Sequence, residues 1–375
     1  MLERYREHCE SLQRTGNYRQ LPVELSNSLA LDFSSNDYLG LSRHPNVREA
    51  GILAVDKYGN GATGSRLLSG NRPIFEKLEK TIAKDKKTEA ALVFSTGFQA
   101  NLSVLSSLLN PSVLKEKPLV FFDKLNHASL YQAVFLSQAK LVRYRHLDYD
   151  HLAACLYEHR HATCPKFIVT ETLFGMDGDV VSLPHIFELA RTHDALVYLD
   201  EAHALGILGE SGYGLSTTLI HDVPCVVMGT LSKAVGCAGA YVAASRAIID
   251  FLVNTASGFI FSTAPSPFVI GAALCAWQLI PSFKEERRAL FTLADEMRAM
   301  LKFHQFDVGN SSTHIIPMII GHVEKAEALY YQLLDSGVRL SYVRRPTVPP
   351  KGERLRIALN VSHTLQDLAR FGAFL

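Results

Sequence analysis

The chain alternates short apolar runs with longer stretches of helical spacing. Ala90–Phe94, Leu119–Phe122, Leu141–Tyr144, Phe167–Thr170, Leu196–Leu199, Val223–Met228 and Ala240–Ala243 are mostly Val, Leu, Phe and Ala, with no polar alternation. Such runs mark strands covered on both faces. Gln99–Leu109, Tyr131–Ala139 and Leu183–Thr192 place apolar residues at helical spacing between them. Strand–helix alternation of this kind predicts an α/β fold with a parallel, helix-covered sheet. Upstream, residues 1–15 carry Leu2, Tyr5 and Leu12 among charges, a weak amphipathic helix ended by Gly16. Ala30–Phe33 predicts a short strand, SSNDYLGLSRHPNV a polar turn leading into a helix, and Ile74–Lys84 a helix. Gly59–Asn71 is glycine-rich and reads as a loop, either one that lets backbone approach a ligand or a plain surface loop.

The pattern changes after Pro281. A long charged helix at Phe283–Phe303 leads to a strand within His314–Ile320 and a helix at Val323–Ser336. Strands at Val338–Val343 and Arg354–Leu359 follow, then a closing helix whose Thr364 and Asp367 have capping-box spacing. This predicts an N-terminal arm (1–40), a large domain (41–280) and a smaller α+β domain (281–375).

Composition narrows the class. Hydrophobic residues make up 47% and charged residues 20%, as in a soluble globular enzyme. A net charge of +1 gives no field to recruit nucleic acid or an anionic membrane. Cys9, Cys155, Cys164, Cys225, Cys237 and Cys275 form no C-x-x-C pair, and several lie in apolar runs, so buried reduced thiols and a cytoplasmic protein are expected. The charged N-terminus lacks the apolar core of a signal peptide, and no apolar stretch approaches the roughly 20 residues of a membrane span.

Chemistry gathers where the strands end. Gly97, His127, Glu171, Asp200 and Lys233 all follow predicted strands, at the carboxyl edge where open α/β sheets bind ligands. The turn Ser95-Thr96-Gly97-Phe98 opens a helix whose N–H groups suit a phosphate. Lys233 follows an apolar strand and precedes AVGCAGA, which holds nothing charged to keep it solvated; such a lysine becomes nucleophilic. An acid, an imidazole, hydroxyl residues and a lone lysine suit pyridoxal phosphate. Two other readings of Asp200-Glu201-Ala202-His203 compete. As a nucleotide-driven DEAH box it needs a G-x-x-x-x-G-K-[ST] loop, which the sequence lacks. As a zinc site it lacks H-E-x-x-H spacing and a third ligand, so no metal is expected.

The segments LDFSSNDYLGLSRHP, GSRLLSGN, FSTGFQAN, HASL, TETLFGMDGD, DEAHALG, GTLSKAVG, FSTAPSP and RPTVPPKGERLRIALNVSH resemble, in order and nearly end to end, the α-oxoamine synthase family of fold-type I pyridoxal-phosphate enzymes. The resemblance implies a mostly parallel seven-stranded sheet and a homodimer with its active site at the subunit interface. It implies that Lys233 forms the internal aldimine, Asp200 pairs with the pyridinium nitrogen, His203 bonds the phenolic oxygen and His127 stacks on the ring. Gly97, Phe98 and Thr230 would hold the phosphate, with Thr263 reaching in from the second subunit. Arg356, aided by Asn36, would clamp the amino-acid carboxylate, Arg19 would meet the acyl substrate, and Thr347 would be a further substrate-binding residue. Relatives often carry serine before M-D-G-D where this chain has Gly175, leaving the phenolic oxygen to His203 or a water. The implied reaction condenses L-alanine with a pimeloyl thioester, of coenzyme A or acyl-carrier protein, with loss of CO2, as in biotin biosynthesis. Sister enzymes use glycine or serine instead.

Overall fold

The computed structural model describes residues 1–19, 21, 31–218 and 223–375, in two compact units. The first comprises Met1–Asn36, Gly175–Asp179 and Glu286–Leu375; the second comprises Asp37–Phe174 and Val180–Glu285.

In chain order the strands are β1 (Leu31–Asp32), β2 (Ala90–Phe94), β3 (Leu119–Asp123), β4 (Lys140–Tyr144), β5 (Lys166–Glu171) and β6 (Ala195–Asp200). They continue with β7 (Cys225–Thr230), β8 (Ala240–Ala244), β9 (Ile315–Ile319), β10 (Val338–Arg339), β11 (Ser341–Val343) and β12 (Arg354–Ala358). The second unit is built on a seven-stranded sheet of order β2-β8-β7-β6-β5-β3-β4. Its strands are apolar because both faces are covered. Phe167, Val169, Tyr198, Val226 and Met228 face one core with helices Gly97–Leu108 and Ala128–Ser137. Ile168, Val197, Leu199 and Val227 face the other with helix Leu183–Thr192.

The sheet is mostly parallel, as expected, with one exception. β8 runs antiparallel to both β7 and β2. The intervening residues 231–239 are fewer than the dozen or so a parallel crossover needs, so the chain turns back instead. Across the second unit, helix Pro267–Leu279 packs on helix Pro45–Tyr58 so closely that a Cβ on Gly271 would stand 2.6 Å from Ala54 Cβ. Among the described residues, the helical run Pro267–Phe303 is long and apolar enough to be weighed as a membrane span, against the sequence expectation. Half of its apolar window is buried inside protein, and Ile270, Ala273 and Trp277 are fully buried core residues, so it reads as a core helix.

In the first unit, β11-β12-β9 form an antiparallel sheet, and β1 pairs in parallel with β10. The single strand expected over Val338–Val343 is broken: buried Leu340 separates β10 from β11, and each joins a different sheet. Helix Leu365–Gly372 opens with the expected capping box of Thr364 and Asp367. Ala30, expected to begin a strand, lies outside the described residues. Helix Ala128–Ser137 begins three residues before the expected Tyr131, because His127 caps it at the Ser129 N–H. All six cysteines are free; only Cys155 is buried and Cys9 is exposed, so the expectation of buried thiols holds at one position.

Candidate active site

Asp200 ends β6 with its side chain on the face shared with Tyr198, beneath helix Gly97–Leu108. That helix delivers Asn101, whose amide nitrogen donates to Asp200 Oδ2 at 2.7 Å and to Ser129 Oγ at 2.9 Å. Tyr198 in turn donates its hydroxyl to Asn101 Oδ1 at 2.8 Å. The second Asp200 oxygen accepts the Ala202 N–H at 2.9 Å. Donors on both oxygens favour the charged carboxylate.

The network continues to His127, the N-cap of helix Ala128–Ser137. Ser129 Oγ lies 2.7 Å from His127 Nδ1, and the Ser129 N–H points to the same nitrogen at 3.3 Å. Because a backbone N–H can only donate, Nδ1 is the acceptor here and the Ser129 hydroxyl donates to it too, which assigns the His127 proton to Nε2. Burial pushes the His127 pKa down; Asp200 opposes that shift and Lys233 adds to it, so both charges reach this ring. The His127 backbone N–H donates to Glu171 Oε1 at 2.6 Å.

Lys233 follows β7 by three residues and is half-buried. Its Nζ lies 2.8 Å from His203 Nε2, and His203 Nδ1 lies 2.8 Å from the hydroxyl of the fully buried Tyr38. The turn carrying His203 is pinned from both sides. Gly206, at φ +83°, lets it press on Ala234 beside Lys233, where a Cβ would stand 2.3 Å from the alanine's. Below it, Glu201 pairs with the equally buried Lys86, and it accepts from the N–H of Ser216 at 2.7 Å and the hydroxyl at 2.9 Å.

At the N-terminus of helix Gly97–Leu108, Thr96 caps the Gln99 N–H. An ideal Cβ at Gly97 would meet only Thr230, at 3.6 Å, which leaves an open cradle between the first turn and the end of β7. Thr230 Oγ1 lies 2.8 Å from Ser232 Oγ, a second hydroxyl at the same place. Phe98 is 44% exposed, with its ring edge-on to His127. Thr263 is exposed and bridges Ser65 through its backbone; within this chain it stands apart from the network of Asp200, His127 and Lys233.

The remaining sequence-predicted residues belong to the first unit. Arg356, in β12 and 4% exposed, donates from Nε to the Gly175 carbonyl at 2.5 Å and from Nη2 to Asn36 Oδ1 at 3.0 Å. Gly175 thus serves through its carbonyl. Arg19 Nη2 donates to Thr347 Oγ1 at 3.2 Å and the Arg345 carbonyl at 3.3 Å. A cavity of about 450 Å³ opens beside them, walled by Leu12, Tyr18 and Pro346 and edged by Arg19 and Arg345. Among the described residues no cluster of three His, Cys, Asp or Glu could hold a metal ion.

Sequence reading passed over Tyr38, Asn101 and Ser129. Each stood in a quoted motif (NDYLG, FQAN, HASL), but nothing in linear spacing shows which polar residues of a helix point at a strand end.

The Aminotransferase class I and II family matches residues 30–373. The 8-amino-7-oxononanoate synthase of Gluconacetobacter diazotrophicus is 43% identical over 335 residues, 89% of this chain and 84% of that protein. A high-resolution structure of SPT with its PLP internal aldimine superposes with TM-score 0.85 at 28% identity, covering 92% of this chain and 85% of that one. The 8-amino-7-oxononanoate synthase from Francisella tularensis superposes with TM-score 0.79 at 27% identity, covering 93% and 97%. By fold, strand-end chemistry and sequence, this chain belongs to the aminotransferase class I and II family.

Proposed function

We propose that this chain is a pyridoxal-phosphate-dependent acyltransferase, an 8-amino-7-oxononanoate synthase, which joins L-alanine to a pimeloyl thioester with loss of CO2 and of the thiol carrier. One observation carries the reading. Lys233 Nζ is hydrogen-bonded to His203 Nε2, and Asp200, whose two carboxyl oxygens each accept an N–H, lies close enough that its charge and that of Lys233 both act on the His127 ring. The donor set fits the cofactor: an amine for the aldehyde, a carboxylate for the ring nitrogen, and the cradle between Gly97 and Thr230 for the phosphate.

Pyridoxal phosphate, when bound, supplies an aldehyde and a protonated ring that draws electrons from the amino acid's α-carbon. Lys233 would supply the amine that holds the aldehyde and the base that moves the alanine α-proton. Asp200 would hold the proton on the ring nitrogen. His203 would bond the phenolic oxygen while Tyr38 fixes its Nδ1 side. His127, its pKa lowered by burial, would lie against the ring. Gly97, Phe98, Thr230 and Ser232 take the phosphate, with Thr263 of the partner subunit. A homodimer is supported by the exposed Leu68 and Phe261, each 84% exposed, on the two loops joined by the Ser65–Thr263 bridge. Arg356 and Asn36 bind the alanine carboxylate.

The pimeloyl assignment rests on Arg19, Thr347 and the cavity beside them: an apolar wall with guanidinium groups suits a chain that ends in a carboxylate. The second reading, a serine-using sister, is favoured by the likeness to SPT. CO2 release from alanine, glycine and serine, each with pimeloyl and palmitoyl thioesters, separates them. Turnover is expected with alanine and the pimeloyl thioester; preference for serine and the palmitoyl chain would refute the proposal.

A further inference from the structure

Glu171 is the last residue of β5, and in the parallel ladder its register partner is Asp200, the last residue of β6. Paired residues of neighbouring strands lie about 4.8 Å apart and project to the same face. The face is that of Val169 and Tyr198, beneath helices Gly97–Leu108 and Ala128–Ser137. Glu171 is 6% exposed and Asp200 3%. Two carboxyls so placed cannot both be ionised cheaply, and one proton goes to the pair.

The hydrogen bonds decide which carboxyl keeps it. Asp200 accepts N–H donors on both oxygens, from Asn101 and Ala202, which favours its anion. Glu171 accepts one, the His127 N–H on Oε1. The charged and titratable groups facing Glu171 are Asp200 from β6, Lys233 from the loop after β7, His127 from its helix and Asp123 from the end of β3. Asp123 adds a further negative field and is itself engaged by His146 at 2.9 Å. Burial and then Asp200 push the Glu171 carboxyl well above the ordinary range, and Lys233 and the His127 N–H only partly offset them.

We propose that Glu171 is a positioning residue that works as a neutral acid. Its Oε1 fixes the backbone of His127, while the proton it carries leaves Asp200 as the single negative charge of the pair. The ring of His127 is then held at two points, the main chain by Glu171 and Nδ1 by Ser129. The inference rests on the cofactor reading above only for the use made of Asp200 and His127; the protonation state is measurable without it.

Infrared spectroscopy of the purified protein at pH 7 tests this directly. The expected spectrum has a protonated-carboxyl C=O band that shifts on uniform 13C-glutamate labelling, does not shift on 13C-aspartate labelling, and is lost in Glu171→Gln. Absence of the band, or its shift with aspartate, overturns the proposal; the isotope arms use wild-type protein and stand even if the variant does not fold. Glu171→Gln keeps both the acceptor and the neutrality. It should therefore retain the visible circular dichroism of the bound cofactor and move the cofactor's absorbance titration by less than about 0.3 pH unit. Glu171→Met, which loses the acceptor, should at least halve that dichroism. A downward titration shift of a unit or more in Glu171→Gln would show that wild-type Glu171 is charged. A protein without bound cofactor would refute the proposed function, while the infrared arms would still decide the charge of Glu171.

Discussion

Replacing Asn101 by leucine should cost more than its modest appearance in a helix suggests. Asn101 is 1% exposed and joins three groups: it donates to Asp200 and Ser129 and accepts from Tyr198. Leucine keeps the branched shape but is bulkier, so no cavity opens, any overpacking adds to the cost, and the polar terms set its lower bound. A hydrogen bond to a charged group contributes about 1.5–3 kcal/mol, and a stranded buried hydroxyl costs about 1–3 kcal/mol. The hydroxyl in question is that of Tyr198, which is fully buried. Ser129 keeps His127 as its partner and adds little. Burying the leucine methyls returns about 1 kcal/mol, so a net loss of about 2–4 kcal/mol is expected. The readout is favourable, because the chain's single tryptophan, Trp277, is buried in the same unit and its fluorescence follows that unit's urea unfolding. A double-mutant cycle isolates the cause. Tyr198→Phe should cost about 1 kcal/mol in the wild type but become neutral or stabilising beside Asn101→Leu, where the hydroxyl is stranded. A cost below about 1 kcal/mol for Asn101→Leu, or an equal effect of Tyr198→Phe in both backgrounds, would refute this account of the network.

Three further perturbations probe other parts. Lys86→Met leaves Glu201 buried without its ion-pair partner beneath the turn that carries His203, so a loss of about 3–5 kcal/mol is expected, largely recovered by adding Glu201→Gln; a loss below about 1 kcal/mol would contradict the pairing. Burial, aided by Arg356, pushes His314 down to about 3. The unfolded chain therefore holds one more proton between about pH 3 and 6.5, and stability falls on acidification through that window by at most about 1.4 kcal/mol per unit. His314→Leu should flatten this slope in unfolding followed by far-ultraviolet dichroism, and an unchanged slope would show that His314 is not held neutral. Arg19→Leu should raise KM for the pimeloyl thioester about tenfold or more, equivalent to about 1.4 kcal/mol, and leave KM for a methyl-ended analogue unchanged. Equal effects on both would remove Arg19 from carboxylate recognition.

The sheet was legible because burial on both faces leaves uninterrupted apolar runs, and helix Leu183–Thr192 matched its spacing at both ends. Val223–Met228 was two residues early, since the polar end of β7, Gly229–Thr230, continues the ladder through backbone bonds that hydrophobicity does not reveal. The reversal of β8 was in principle readable from the short connection, but apolar content carries no direction. For the site, strand-end position pointed to Asp200, His127 and Lys233; hydrogen bonds through Asn101 and Ser129 link the first two, Lys233 bonds His203, and the charges of Asp200 and Lys233 both act on His127. The joining residues were not legible, because an asparagine inside a helix looks alike whether it faces water or a carboxylate. Glu171 was visible at a strand end, but its role depends on the register that sets it opposite Asp200.

The most direct test is to reduce the purified protein with borohydride, digest it and locate the modified residue by mass spectrometry. The account predicts a phosphopyridoxyl group on Lys233 alone, with the visible absorbance lost on reduction and absent in Lys233→Ala. An unmodified Lys233, or the label on another lysine, would contradict it.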